Sequence, residues 1–328
     1  MQDIADRLGI SKVSVSKALR GQRGVSAELR QKITQTAQSM GYDLAPSSEH
    51  YRFAFLVSKH FFLETDAFYS AMYYYFNQKC FTAGHSASLI IVNNGDGRPP
   101  ELPAELQKES FHGFAIAGEM DDAYLQMLSR FQRPMVLMDF ESQSVNCSAI
   151  LQENYYWGFR TTEYLIGQGH EKIGFVGPVG STGSITDRYF GYRKALMMHR
   201  LPCRNEWQLV NNDPQSGVYT AHISLPEDMP TAFVCHCDMA AQYLLNTLSL
   251  RNLRCPRDVS VVSFDNTKLA QINQPPLTSV SIDIRAFAQQ AIQTLTAMLE
   301  NGPQEPRHIY LPSTLILRES VANLNGRG

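Results

Sequence analysis

The chain has 328 residues, 44% of them hydrophobic and 18% charged, with a net charge of −2. That length accommodates two or three domains, and the composition is that of an ordinary soluble globular protein, not a disordered or fibrous one. No run approaches the ~18 apolar residues of a membrane span, and Asp3 and Asp6 interrupt any apolar leader before the first helix.

The mean charge hides an asymmetry. Residues 1–42 hold seven Lys/Arg against three acids, a net of +4, which leaves −6 for the remainder. A basic head on an acidic body keeps attraction to a polyanion local to the head.

The segment Ile4-Ala5-Asp6-Arg7-Leu8-Gly9-Ile10-Ser11 reads as an apolar helical face, a glycine turn and a serine N-cap. The second helix, Lys12 to Leu19, places Val15, Ala18 and Leu19 on one face and Lys12, Val13, Ser16 and Lys17 on the other. Small Ala5, the Gly9 turn and buried Val15 suit two helices that cross steeply. A basic, carboxylate-free outer face suits a major groove lined with phosphates. Gly24-Val25-Ser26 offers another turn and cap, and Leu29, Ile33, Ala37 and Met40 stripe a third helix ending at Gly41-Tyr42.

These residues resemble the lactose-repressor family of bacterial transcription regulators. The matching blocks are Asp3-Ile4-Ala5, Gly9-Ile10-Ser11, Ser14-Val15-Ser16-Lys17-Ala18-Leu19, Gly24-Val25-Ser26 and Met40-Gly41-Tyr42. The resemblance implies a helix-turn-helix over residues 1–45 that binds a two-fold, palindromic DNA operator as part of a homodimer. Lys12, Val13 and Lys17 would face base edges, while Ser11, Ser14, Ser16, Ser26 and Tyr42 would position phosphates, with Arg20 in the same set.

Family members usually continue into a short basic helix with a leucine wedge. Here the linker, residues 46–51, is about six residues shorter than usual, Asp43 and Glu49 are acidic, and Leu44 is the only wedge available. The motif also starts some three residues early, without the usual capping Thr.

Beyond the linker, short apolar runs alternate with amphipathic stretches. The runs are 53–57, 88–92, 113–117, 135–138, 172–176, 231–235 and 259–264; the helices are 67–83, 122–131, 155–167, 188–200, 239–250 and 285–300. Continuous apolar strands alternating with helices imply parallel sheets covered on both faces, and the count favours two doubly wound subdomains. The resemblance continues through Arg133–Asp139, Glu163–His170, Ile173–Pro178, Asp258–Asp265 and Pro276–Val280. It implies a core like a periplasmic sugar-binding protein, one subdomain from 52–152 plus 284–311 and the other from 153–282 plus 312–324, within a unit spanning 52–328.

Ligands of open α/β sheets sit beyond the carboxyl ends of the strands. Asp139, Asp238 and Asp265 follow three of the apolar runs, and Arg188 lies beyond the Gly177–Ser184 loop. An arginine facing carboxylates across a cleft brackets vicinal hydroxyls, because guanidinium only donates and carboxylate accepts. Phe61, Phe62, Phe68 and Tyr69 could stack a ring on a sugar face. The alternative makes Asp139 and Asp238 helix caps and Arg188 a structural ion-pair partner; the resemblance favours ligand contact, giving an effector set of Phe68, Tyr69, Asp139, Gln152, Arg188, Asp238 and Asp265. Departures weigh against a standard hexose pose: Cys237 stands where an Asn is common, and Gln152 and Pro214 where aromatic residues are.

The sequence implies no catalytic residue, metal or cofactor. Gly177, Gly180 and Gly183 are spaced G-x-x-G-x-x-G rather than as a dinucleotide loop, and no Gly-Lys-Ser/Thr occurs. Cys235-His236-Cys237 reads as small residues at a strand end, with reduced thiols in a cytoplasmic protein. A free-standing solute-binding protein or an enzyme on the same core is the alternative; neither has a use for the basic head.

Overall fold

The computed structural model describes residues 2–19, 25–40, 50–59, 61–62, 67–93, 101–108, 110–211 and 223–326. Arg20, Tyr42, Leu44, the linker residues 46–49 and Pro214 lie outside them.

The head is three helices, α1 (Gln2–Leu8), α2 (Lys12–Leu19) and α3 (Ala27–Ser39). Gly9 adopts φ +64°, a left-handed turn that glycine enters without a Cβ penalty, and the Ile10 amide closes back onto the Ala5 carbonyl at 3.0 Å. The chain then re-enters helix at Ser11, whose Oγ accepts from the Ser14 amide at 3.0 Å, the N-cap expected there. Ser26 caps α3 in the same way, accepting from the Leu29 amide at 3.3 Å. Ile4, Ala5, Val15, Ala18, Ile33 and Ala37 are buried together as a core of their own.

The body contains two six-stranded sheets. The first is built from β1 (Arg52–Ser58), β2 (Ser86–Val92), β3 (Gly113–Ala117), β4 (Met135–Met138) and β5 (Ser148–Gln152), with helices α4 (Ala67–Thr82), α5 (Ala104–Lys108) and α6 (Asp122–Ser129) between them. The chain then passes to the second sheet through α7 (Asn154–Gly167). That sheet holds β6 (Ile173–Val176), β7 (Gln208–Leu209), β8 (Ala232–Cys235), β9 (Ser260–Asp265) and β10 (Thr278–Ile282), interspersed with α8 (Gly183–Met198), α9 (Asp238–Leu250) and α10 (Lys268–Ile272). It returns through α11 (Ile284–Asn301) to add β11 (His308–Leu311) to the first sheet, then crosses once more to add β12 (Ser313–Ile316) to the second.

The orders are β11-β5-β4-β3-β1-β2 and β12-β10-β9-β8-β6-β7. All pairings are parallel except that of β12 with β10. Both sheets are doubly wound, and each reverses its winding beside its first strand, between β1 and β3 and between β6 and β8.

Period-two geometry sends alternate side chains to opposite faces. Phe53, Phe55 and Val57 of β1 pack under α4 and α11, while Ala54 and Leu56 join Tyr124, Leu125 and Leu128 of α6 on the other face. In the second sheet Phe233 and Cys235 face α9, and Ala232 and Val234 face α7 and α8. Both faces being apolar is what made these strands legible as continuous hydrophobic runs.

Candidate functional site

Two sites take shape. On the head, the α2 surface opposite its buried Val15 and Ala18 carries Lys12, Val13 and Lys17, all exposed, and half-buried Ser14 and Ser16. Val13 is 63% exposed, so the one apolar side chain of this face points outward, away from the head's core. The hydroxyls of Ser11 and Ser14 are 2.8 Å apart at the start of α2.

The second site lies beyond the carboxyl ends of the parallel strands. Phe61 follows β1; Phe68 and Tyr69 open α4; Asp139 follows β4. From the other sheet come Thr182, Ser184, Ile185 and Arg188 after β6, His236 and Cys237 after β8, and Asp265 at the end of β9. Together they line a cavity of about 90 Å³. Typical ligand pockets run to ~300–1,000 Å³, so a sugar enters only if the two walls part.

Arg188 is the centre of this site. It is buried, and its Nε donates to Asn154 Oδ1 at 2.8 Å while its Nη1 donates to the His236 carbonyl. Nη1 also lies 3.6 Å from Asp265 Oδ1, and the guanidinium carbon sits 4.4 Å over the Phe264 ring. The planar fork is thereby held in one orientation, which a flexible lysine could not reproduce. Across the cavity, Asp139 accepts from the Tyr69 hydroxyl at 2.9 Å.

The two cavity carboxylates share an unusual backbone. Asp139 has φ +70° and Asp265 φ +93°, in the left-handed region that disfavours side chains. Such conformations cluster at ligand clamps because the surrounding fold must enforce them.

Burial, and secondarily the charge of Arg188, lowers the His236 pKa to about 3, so its imidazole stays neutral. Burial and the nearby Glu141 carboxylate raise Asp187 above the usual carboxylate range, with Arg188 pulling the other way.

Two expected effector residues lie off the cavity lining. Asp238 does not line the cavity. Its Oδ1 accepts from Ser263 Oγ at 2.5 Å and Ser279 Oγ at 2.7 Å, and its Oδ2 from the Thr267 amide and hydroxyl at 2.6 and 2.8 Å. It is a buried brace joining α9 to β9 and β10, and burial raises its pKa against those four donors. Gln152 is buried at the end of β5, off the cavity wall, and its Nε2 has no hydrogen-bond partner among the described residues. Phe62 packs on the first sheet's core and does not reach the cavity lining either.

Sequence reasoning missed Thr182, Ser184, Ile185 and His236 as lining residues, and Asn154 as the group that orients Arg188. Asn154 and His236 stand just past strand ends, whereas Thr182, Ser184 and Ile185 lie at the start of α8, beyond the loop after β6. Cys237, noted as a departure, lines the cavity and caps α9, its Sγ accepting from the Ala240 amide at 3.4 Å.

Residues 1–44 match the family described as bacterial regulatory proteins, lacI family, and residues 162–321 match a periplasmic binding protein-like domain. The head is thus similar to the lacI family and the core to periplasmic binding proteins. A curated relative, the HTH-type transcriptional repressor PurR of Photobacterium profundum, is 26% identical over 338 residues, covering 99% of both chains. Among solved structures, a transcriptional regulator CelR–cellobiose complex superposes with a TM-score of 0.70 at 22% identity, covering 97% of this chain and 98% of that one. The lac repressor dimer bound to operator and the anti-inducer ONPF gives 0.68 at 19% identity, covering 98% of each. Both likenesses are of fold, and they span head and core alike.

Proposed function

We propose that this protein is a lacI-family transcription repressor whose affinity for a DNA operator is set by a small sugar-like effector held in the cleft between its two sheets. The observation that carries the reading is the pairing, in one chain, of a carboxylate-free α2 face with a cavity where an immobilised arginine faces two strained aspartates. The first suits a polyanion; the second suits a polyhydroxyl compound.

On DNA, Lys12 and Lys17 donate to base edges, and exposed Val13 meets a thymine methyl group. Ser11, Ser14, Ser16, Ser26, Arg20 and Tyr42 contact the backbone and fix register without reading sequence. Residues 1–45 form the head, 46–51 the linker and 52–328 the core. Two copies of the chain present two heads to half-sites about 34 Å apart, which makes the operator palindromic. The lac repressor dimer on its operator, a fold neighbour, supports that arrangement.

In the cleft, Arg188, Asp139 and Asp265 bind hydroxyls and Phe61, Phe68 and Tyr69 supply the apolar wall. The cellobiose complex of a structural neighbour supports a carbohydrate ligand. Because the cavity is small, ligand entry changes the angle between the sheets, and that angle sets the spacing of the heads. Couplings of this kind amount to ~1–3 kcal/mol per site. The protein acts in the cytoplasm, and no helix among the described residues is long and apolar enough to cross a membrane.

The test is selection of operator sequences by the full-length protein from a randomised duplex pool, followed by titration with and without neutral sugars. Recovery of a two-fold sequence whose affinity shifts with one sugar supports the reading. Salt-sensitive, sequence-blind binding that no sugar alters refutes it.

A further inference from the structure

The charge balance of the cleft restricts what can occupy it. Its lining holds two carboxylates, Asp139 and Asp265, and one cation, Arg188, which is already paired with Asp265. Among the described residues no other lysine or arginine lines the cavity. The remaining place in the wall where a negative ligand group could be accommodated is the start of α8, where Thr182, Ser184 and Ile185 border the cavity. The unsatisfied amides of that sixteen-residue helix carry partial positive charge.

A carboxylate from the other sheet, beside the cavity lining, reaches the first amide of that helix. Glu119, just past β3 in the first sheet, accepts from the Gly183 amide through its Oε2 at 2.6 Å. The Ile185 amide is taken by Thr182 Oγ1 at 3.2 Å. A ligand phosphate approaching the start of α8 therefore meets the Glu119 carboxylate at the Gly183 amide. One turn further along α8 stands Asp187, a second carboxylate, its pKa raised by burial and by Glu141 while Arg188 pulls the other way.

We propose that Glu119 is a specificity-determining residue that makes the cleft accept uncharged sugars and reject their phosphate esters. This rests on the reading of the cleft as a sugar-like effector site and names the ligand class within it. The chemistry is like-charge exclusion: a phosphate monoester carries close to two negative charges near neutral pH, and among the described residues the lining offers it only Arg188, already paired, while Glu119 holds the Gly183 amide. The same Glu119–Gly183 bond ties one sheet's wall to the other, so a ligand that displaced the carboxylate would also cut a contact holding the cleft closed.

Isothermal titration of the full-length protein with D-ribose, D-glucose and cellobiose, and with ribose 5-phosphate and glucose 6-phosphate, tests it. A neutral sugar binding at least tenfold tighter than its own phosphate ester is expected. In Glu119→Gln, which keeps a carbonyl acceptor for Gly183 but removes the charge, that ratio falls at least threefold. A purely structural role for Glu119 would scale both affinities together and leave the ratio fixed, which overturns the proposal. Should the variant fold poorly, wild-type protein supplies the second measurement. Screening from about 0.05 to about 0.5 M salt shrinks the ratio if repulsion causes it, and leaves it unchanged if it does not. Phosphate esters binding as tightly as the parent sugars sink the inference while the effector reading stands. Binding of neither class removes the sugar reading itself, and this inference with it.

Discussion

Gly158 of α7 and Gly191 of α8 lie face to face where the two helices cross. A Cβ on Gly158 would overlap the carbonyl oxygen of Arg188, and one on Gly191 would overlap that of Tyr155. The helices pack backbone to backbone, and this contact sets how far Arg188 stands from Asn154 and from the cavity.

Alanine at either glycine therefore reverses the usual sign. In an ordinary helix interior the change stabilises by up to ~1 kcal/mol. Here Gly158→Ala or Gly191→Ala should destabilise by about 1–3 kcal/mol, because the added atom forces the backbones apart. Urea unfolding checks it, and cleft ligand affinity should fall in the same variants.

Arg188 holds Asp265, Asn154 and the His236 carbonyl at once. Arg188→Lys cannot meet all three, so we expect at least a tenfold loss of cleft ligand affinity in titration calorimetry. Arg188→Ala leaves Asp265 without its counter-charge, and a loss of about 3–5 kcal/mol of stability is expected. Retained affinity in the lysine variant would return Arg188 to a purely structural role.

His236 makes the fold acid-sensitive. Its folded pKa of about 3 lies below the ordinary value of 6.5, because burial and Arg188 disfavour the imidazolium. The neutral ring's contribution is therefore fully present above pH 6.5 and is lost as pH falls from there toward 3. The slope should be roughly 1 kcal/mol per pH unit. His85 is also shifted down by burial, so the diagnostic is the difference between wild type and His236→Asn in denaturation from pH 7 to 4.

The cysteines should divide by burial. Burial pushes Cys80 and Cys255 up to about 12 and Cys147 to about 11, so none forms appreciable thiolate at neutral pH, whereas Cys203 is exposed. Iodoacetamide followed by peptide mass spectrometry should label Cys203 first. The other three should react only as the protein unfolds.

On the head, Lys17→Ala should weaken operator binding by about 1–3 kcal/mol and relax one base position, as expected for loss of a base-edge donor. Val15→Ala should act differently, lowering the head's stability because Val15 is fully buried, with its effect on DNA uniform across sequences. Equal affinity and equal preference for Lys17→Ala would remove that side chain from the reading.

Elements with a local signal were legible in the chain. Gly9, Ser11 and the Val15–Ala18 stripe dictate the head, because a left-handed turn, an N-cap and a 3.6-residue period each need only neighbours in the chain. The seven apolar runs became seven strands, because a parallel strand buried on both faces must be apolar throughout. Five strands escaped, β5, β7, β10, β11 and β12, two of them, β5 and β10, because Ser148, Thr278 and Ser279 are polar. Their hydroxyls are satisfied only by distant groups: the Arg307 amide donates to Ser148, and Ser279 donates to Asp238, 41 residues away. Asp139 and Asp265 could be named from their places after apolar runs, Phe61, Phe68 and Tyr69 from an aromatic-rich stretch, and Arg188 with the help of the family resemblance; all six line the cavity. Folding in three dimensions was needed to show that Asp238, equally well placed in sequence, is spent on four internal donors, and that Glu119 reaches across to α8. A carboxylate binds ligand or brace according to which donors stand beside it in space, and chain position does not encode which those are.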